Sequence, residues 1–481
     1  MRNRLFVKYE WDRITMKEIC KPLSMILKVL GKQKINNSVD YRKLTYVMCF
    51  QCDDGFLIYN LMTRQLVLLS DSEYADLKLN DTSNPLTNFL IAHWFLVPEN
   101  NKDEKLLKQV DKIVNDIVNY TYNGYINNFI IYPTTDCNAR CFYCFELKCK
   151  RINMTNKIAH DVVRFIEEKS GTRDITLNWF GGEPLFNVSA IDTICGELSS
   201  KNKKYISTMV SNAYLFNDDN IKKAVKLWHL TRIQVTLDGT EEVYNKVKSY
   251  IYKDDSSPFR RVLNNIEKLL QNDIYVSIRL NMSDHNYDDI GDLIDVICDR
   301  LNGYKNFNIY IALLYEDFSN RKTKLTDEQR KTIFAKYFQL NKKLEEKGHS
   351  RKFRIEYFRN YIHCMADNNT YTTILPDGRL GKCEHYTDEY TYGTIYDDCN
   401  YDTSVIDKFK EVIDRGEQCY GCEAYPNCSE LKCCPGTKKN CSDDDKKMIF
   451  DDIEDAVRFT YDCYLKGEIS NDKKHEVIFK E

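Results

Sequence analysis

Between residues 122 and 345, short apolar runs alternate with amphipathic stretches. The segments 128–133, 176–180, 208–211, 233–237, 275–281 and 308–314 are strand-length and dominated by apolar, β-branched and aromatic residues. Among the stretches that separate them, 159–169, 220–228 and 260–271 repeat apolar residues at helical spacing, and a further one, 326–343, follows the last strand. Six strand–helix units in regular alternation predict a parallel sheet covered by helices, an open or partial (β/α)6 TIM-like barrel within an α/β fold class. In such folds chemistry sits at the C-terminal ends of the strands.

The flanks follow other rules. Residues 44–51, 56–60 and 65–70 form three short strand-like runs, with Asp53-Asp54-Gly55 as a hairpin turn between the first two. Helices follow from Ser72 and over 86–93. Three strands followed by helices predict a winged-helix-like α+β module, with 102–120 as a charged linking helix. Residues 346–481 lose the β/α rhythm and become rich in loops and cysteine. A segment like that builds little apolar core, so bound metal would have to supply its folding free energy. The expected domains are 1–121, 122–345 and 346–481.

Charge changes this picture little. The 481 residues carry 69 Lys and Arg against 72 Asp and Glu, a formal charge of −3 that gives no reason to expect nucleic acid as a partner. Residues 1–50 are the exception, with eleven basic and four acidic residues. They form either a solvated basic face or a dock for an acidic peptide. No apolar run approaches the ~20 residues of a membrane span. The start, Met1-Arg2-Asn3-Arg4-Leu5, leads into polar residues rather than a signal-peptide core. The expectation is a cytoplasmic protein without membrane contact.

In that compartment cysteine is informative. There are nineteen, ten of them from Cys364 to Cys463 and four from Cys137 to Cys149. A reduced environment makes such clustering a metal signal rather than a disulfide framework. Cys137, Cys141 and Cys144 follow the first strand of the α/β region at Cys-x3-Cys-x2-Cys spacing. A [4Fe–4S] cluster normally takes four thiolates, so a loop offering three leaves one iron open. An open coordination position is what separates a catalytic metal site from a structural one. A three-cysteine zinc loop with a distant fourth ligand is the alternative.

Together with four further motifs, this loop resembles the radical S-adenosylmethionine (SAM) superfamily. Trp179-Phe180-Gly181-Gly182-Glu183-Pro184 ends the second strand and is similar to the family's Gly-Gly-Glu-Pro segment. Asn212 after the third strand, Asp238 in Leu237-Asp238-Gly239 after the fourth, and Arg279 with Asn281 on the fifth match family positions in order. The resemblance implies that SAM chelates the open iron of a [4Fe–4S] cluster. It is then cleaved reductively to a 5′-deoxyadenosyl radical that abstracts hydrogen from substrate. It implies Tyr143 near the adenine, Gly181, Gly182 and Glu183 at the SAM amino group, Asn212 and Asp238 as further cofactor contacts, and Arg279 at the SAM carboxylate. Cys149 lies outside the spacing.

The C-terminal pattern resembles the SPASM extension of the same superfamily, which holds auxiliary iron–sulfur clusters. Cys364 precedes Gly378-x4-Cys383, and Cys419-x2-Cys422-x5-Cys428 follows, then Cys433-Cys434, Cys441 and Cys463. The family pairing implies one cluster on Cys419, Cys422, Cys428 and Cys463. It implies another on Cys364, Cys383 and either Cys433 or Cys434, with His363, a substrate group or nothing in the fourth position. Cys441 is the alternative to Cys463, Cys399 stays unassigned, and two four-cysteine zinc sites are the alternative chemistry. Glu384, directly after Cys383, stands where sulfatase-maturing members carry a proposed base; otherwise it is a surface acid.

SPASM enzymes act mostly on peptides. The long N-terminal module resembles the leader-binding element of peptide-maturing members, which takes an extended peptide as an added strand. The expected function is a radical SAM peptide maturase that oxidatively cross-links a ribosomally made precursor peptide through a thioether or carbon–carbon bond. The expected partners are the leader-bearing precursor and a flavodoxin or ferredoxin electron donor. The alternatives are a formylglycine-generating sulfatase maturase and a zinc-bound scaffold without catalysis.

Overall fold

The computed structural model describes residues 16–20, 30–77, 79–110, 112, 124–252, 257–314, 326–349, 365–385, 390–398, 400–409, 417–428, 441 and 443–467. Its strands are β1 (Lys17–Cys20), β2 (Tyr41–Lys43), β3 (Val47–Cys52), β4 (Gly55–Asn60), β5 (Gln65–Leu69), β6 (Leu96–Pro98) and β7 (Asn128–Ile131). They continue as β8 (Ile175–Trp179), β9 (Tyr205–Ser211), β10 (Leu230–Leu237), β11 (Tyr275–Met282), β12 (Phe307–Leu313), β13 (Tyr371–Ile374), β14 (Arg379–Gly381) and β15 (Thr391–Thr394).

Strands β7 to β12 form the expected six-stranded parallel array in sequential order. The sheet does not close. It continues instead past β7 into β13, which runs parallel to it with Ile374 opposite Ile131, and then into the antiparallel pair β14 and β15. Residues 371–394 therefore complete the barrel sheet.

The strand alternation explains where the core lies. In β9 and β10, Ser207, Met209, Ile233, Val235 and Leu237 are buried, while Thr208, Val210, Gln234 and Thr236 between them are half-buried. One face packs on helices and the other, mostly polar, lines the concave side. The helix Asn156–Ser170 shows the complementary pattern. Thr155 caps it by accepting the Ile158 N–H, Ala159, Val162, Val163 and Ile166 are buried against the sheet, and Gly171 ends it at φ +55°. The helix Pro258–Gln271 repeats the arrangement with Ser257 as its cap and proline at its start.

In the N-terminal module, β1, β5, β4 and β3 make an antiparallel sheet in that order, and β2 pairs with β6 as a separate ribbon. The helix Asp71–Ala75 is capped by Ser70 in a reciprocal box with Glu73, two residues earlier than the Ser72 start expected. The hydrophobic core of this module is shared. Ala424, Tyr425, Ile453, Ala456, Val457 and Tyr461 pack into it, four of them from the helix Asp443–Leu465. Lys43 pairs with Glu423 at 3.0 Å, and Tyr46 Oη donates to the Tyr420 carbonyl at 3.2 Å. Arg458 Nη1 donates to the Gln51 carbonyl on edge strand β3 at 3.0 Å. The cysteine-rich segment thus has an apolar anchor that the sequence pattern did not reveal. No helix among the described residues is long and apolar enough to cross a membrane.

Candidate functional site

The loop carrying Cys137, Cys141 and Cys144 leaves the C-terminal end of β7. Asp136 Oδ1 accepts the Cys137 N–H at 2.8 Å, and the Ala139 N–H points at Cys137 Sγ from 3.3 Å. Burial pushes the Cys137 and Cys144 thiols up to about 12, with Glu183 adding to the first and Glu146 to the second. Burial raises Cys141 too, with Lys248 working against it. Thiolates in such a setting need positive charge directly against the sulfur, which metal supplies. Three soft sulfurs on one loop, one of them receiving a backbone N–H, suit a four-iron cluster, in which each thiolate takes its own iron. Among the described residues no three His, Cys, Asp or Glu side chains converge on a single-ion site.

The end of β8 clamps the approach to this loop. The Gly182 N–H donates to the Thr134 carbonyl at 3.2 Å and the Glu183 N–H to the Asp136 carbonyl at 2.9 Å. A Cβ at Gly181 would collide with the Thr134 carbonyl, and one at Gly182 with the Asp136 carbonyl. The close approach that these glycines allow is therefore to the backbone entering the cysteine loop. Glu183 is fully buried and accepts from the Asn212 N–H and Ser211 Oγ, each at 2.8 Å, and from the Leu185 N–H at 3.2 Å. Burial raises its carboxyl to about 7 against the pull of those donors. Asn212 Nδ2 also donates to Asn138 Oδ1 at 2.7 Å, tying β9 to the loop.

Tyr143 and Asp238 meet in the interior. The Tyr143 hydroxyl donates to the Asp238 carboxylate, 2.9 and 3.0 Å from its two oxygens. Both contact Lys248, whose ammonium lies 2.9 Å from Asp238 and 3.2 Å from the Tyr143 hydroxyl. Burial alone would lower Lys248, but Asp238 and Tyr143 hold it well above its ordinary value, so it is a buried cation beside the cysteine loop. Its carbonyl also accepts the Arg140 N–H at 2.8 Å. Sequence reasoning missed Lys248 because a lone lysine near a helix end reads as surface. The available signal was its position at the end of an amphipathic helix, Glu241–Lys248, directly after the Asp238 strand end.

Arg279 lies half-buried on β11, on the same side of the strand as the concave face, where its Nε donates to Asn281 Oδ1 at 2.8 Å. The segment 383–385 reaches the cysteine loop. The Phe145 ring meets His385 edge-on at 4.6 Å, and Tyr132 Oη donates to the Glu384 carbonyl at 2.5 Å. Desolvation, aided by Arg279, depresses His385 to about 4. Glu384 is not a surface acid. Burial raises its carboxyl, and Oε2 has no hydrogen-bond partner among the described residues. A buried oxygen left without a partner is costly.

Cys383 is buried beside Glu384, and the His385 N–H faces its Sγ at 3.4 Å. Cys419, Cys422 and Cys428 occupy one short stretch against the N-terminal module. The Cys422 N–H donates to the Cys419 carbonyl at 2.9 Å, and the Cys428 N–H to that of Tyr425 at 3.1 Å. Cys463 is buried on the helix Asp443–Leu465, and Cys441 is half-buried just before that helix. Cys364, Cys433, Cys434, His363 and Cys399 lie outside the described residues.

Residues 131–297 match the family model described as the Radical SAM superfamily. The chain carries a radical SAM domain, and the strand ends and cysteine loop just described lie within it. Among solved structures, the fold resembles anSMEcpe with bound AdoMet at 16% identity and TM-score 0.55, covering 72% of this chain and 96% of that one. It resembles native anSMEcpe with bound AdoMet and the Kp18Cys peptide at 17% identity and TM-score 0.52, covering 70% and 99%. Streptococcus suis SuiB bound to precursor peptide SuiA aligns at 14% identity and TM-score 0.46, covering 81% and 95%. No match was found among curated proteins.

Proposed function

We propose that this protein is a radical SAM peptide maturase. The observation that carries this reading is the half-buried three-thiol loop at the C-terminal end of β7, clamped by the Gly-Gly-Glu end of β8. Cys137, Cys141 and Cys144 would hold a [4Fe–4S] cluster with one open iron, and Gly181, Gly182, Glu183, Asn212 and Arg279 would surround SAM there. When bound and reduced, this pair supplies a 5′-deoxyadenosyl radical that takes hydrogen from the substrate.

The chain's own groups position and protect that step. Glu183 and Asn212 brace the loop from one side and the Asp238–Lys248–Tyr143 network from the other. Glu384, half-buried and with Oε2 lacking a hydrogen-bond partner among the described residues, would accept a proton as substrate is oxidised. Cys383 and the 419–463 cysteines would hold one or two auxiliary clusters. Held there, such clusters would supply one-electron redox chemistry for substrate oxidation.

A peptide substrate fits the N-terminal module, whose basic first fifty residues complement an acidic leader. The fold likeness to a protein solved with a bound peptide agrees with this. On edge strand β3 the helix Asp443–Leu465 already engages the Gln51 carbonyl, so a leader strand would compete there.

The test is anaerobic reconstitution followed by measurement of iron, sulfide and 5′-deoxyadenosine. Cys141→Ala should abolish 5′-deoxyadenosine while retaining the C-terminal iron; retained cleavage would refute the loop assignment. Co-expression with small candidate precursor peptides should give products lacking two hydrogens per modification, located by fragmentation. Glu384→Gln should keep SAM cleavage and slow product formation.

A further inference from the structure

Lys248 places a fixed charge against the cysteine loop, and two contacts hold it there. Its carbonyl accepts the N–H of Arg140, one residue before Cys141, at 2.8 Å. Its ammonium lies 3.2 Å from the hydroxyl of Tyr143, one residue before Cys144. Backbone and side chain of a single residue thus bracket the turn from Cys141 to Cys144.

The surroundings keep that amine protonated. The Asp238 carboxylate stands 2.9 Å away, and the ring centroids of Tyr143 and Tyr244 lie 5.8 and 5.7 Å from the same nitrogen. A carboxylate and two aromatic rings at these distances favour the ammonium form. Water screens the charge little, since the Lys248 and Asp238 side chains are 4% and 1% exposed. Arg140 and Arg151 differ in this respect. They reach Asp136 at 3.8 and 3.4 Å, but their side chains are 28% and 53% exposed. Of the two buried charges, Lys248 acts more strongly on Cys141 than Asp238 does, so the pair turns its positive end toward that sulfur.

Reducing an iron–sulfur cluster adds one electron, and the site becomes one unit more negative. A buried cation beside the ligands favours that reduced form, and a buried anion opposes it. We infer that Lys248 raises the reduction potential of the cluster that Cys137, Cys141 and Cys144 would hold, with Asp238 limiting the rise. The inference rests on the proposed cluster site. Lys248 is a positioning residue in this role, acting through the sulfur ligands rather than on substrate. A residue that only braced the loop would change how much iron is held and leave the potential alone.

The experiment is a redox titration of the full-length protein, reconstituted anaerobically, without SAM or peptide. Titanium(III) citrate supplies the electron, and electron paramagnetic resonance follows the reduced clusters. The signal missing from Cys137→Ala/Cys141→Ala/Cys144→Ala belongs to the loop. At a fixed potential, Asp238→Asn should raise the ratio of reduced to oxidised loop cluster about tenfold, or ~59 mV for one electron. Lys248→Met should lower it by a similar factor. Signals that survive in the triple cysteine variant should not move. Lys248→Met strands the Asp238 charge, so Lys248→Met/Asp238→Asn, which removes both charges, decides the matter where the single variant loses its iron. The double variant should keep its iron and titrate below wild type. Unchanged potentials in the loaded variants, or shifts of the same sign in Asp238→Asn and Lys248→Met, would overturn the inference and leave Lys248 a brace. Absence from the wild-type protein of any reducible signal that depends on the three cysteines would instead remove the underlying cluster assignment.

Discussion

The Lys248 ammonium lies 2.9 Å from the Asp238 carboxylate, with both side chains almost sealed from solvent. The pair joins the end of β10 to the end of the helix Glu241–Lys248, and the Tyr143 hydroxyl links both to the cysteine loop. Removing one partner of a buried ion pair strands the other charge. Lys248→Met should therefore cost about 3–5 kcal/mol. Tyr143 would lose a donor at the same time, so the loop should hold its iron less firmly. Thermal unfolding and iron content under anaerobic conditions would measure both effects. A Lys248→Met protein with wild-type melting temperature and iron would contradict the bracing role.

Gly182 and Gly196 make a matched comparison. A Cβ at Gly182 would meet the Asp136 carbonyl, whereas one at Gly196 in the helix Val188–Ser200 would meet nothing within 4 Å. Gly182→Ala must push the loop entrance aside, at a cost of about 1–3 kcal/mol by the standards of overpacked sites. It should also impair SAM binding. Gly196→Ala should be neutral or gain about 0.5–1 kcal/mol from helix propensity. Calorimetric SAM binding alongside melting curves for the two variants distinguishes steric clamping from a general intolerance of substitution.

How much of this was legible in the sequence depends on where each signal lives. The barrel strands were legible because apolar runs at regular spacing are local. Even so, β10 begins at Leu230, three residues before the run that announces it, because Thr231 and Arg232 sit exposed on a strand end. The helix Asp443–Leu465 was missed because its apolar residues, Ile453, Ala456, Val457 and Tyr461, are diluted by acids and are buried against a different part of the chain. Strand β13 was missed for a similar reason. Thr372 and Thr373 look polar, and only pairing with β7 makes them interior. In the site, the cysteine loop, Glu183 and Asp238 stood out by spacing. Lys248 and the burial of Glu384 did not, since both depend on partners distant in sequence.

Asp103 gives a pH-dependent test of the N-terminal module. It accepts from Arg42 Nη1 at 2.8 Å, the Thr45 N–H at 2.9 Å and Thr45 Oγ1 at 2.7 Å. Burial by itself would raise its carboxyl, but Arg42 and Thr45 outweigh that and hold it below its ordinary 3.8. A carboxyl depressed in the folded state adds stability that is complete above the unfolded value and disappears as pH falls through the lower folded value. Asp103→Asn should therefore be less stable than wild type by about 2 kcal/mol at pH 7, the scale of charge-assisted hydrogen bonds. The gap should stay constant down to about pH 5 and narrow only below about pH 4. Denaturant unfolding of both proteins along this series checks the sign. A gap that widens toward low pH would contradict it.

The shared core makes the two ends of the chain one mechanical unit. Ile453 is 1% exposed on the helix Asp443–Leu465, within the same apolar cluster as Leu57, Tyr59 and Leu66 of the N-terminal sheet. Ile453→Ala leaves a cavity where the surroundings are held by two distant segments, a change that costs about 2–5 kcal/mol. The loss should be felt across that boundary. Hydrogen exchange should quicken in β3 and β4, about 400 residues away in sequence, as well as in the mutated helix. It should leave the β9–β11 amides protected, because they belong to a separate core. For the same reason, deleting residues 1–121 would expose the apolar face of that helix. Point variants in the module are therefore the cleaner probe of peptide recognition. Unchanged exchange in β3 and β4 after Ile453→Ala would show that the two ends fold independently.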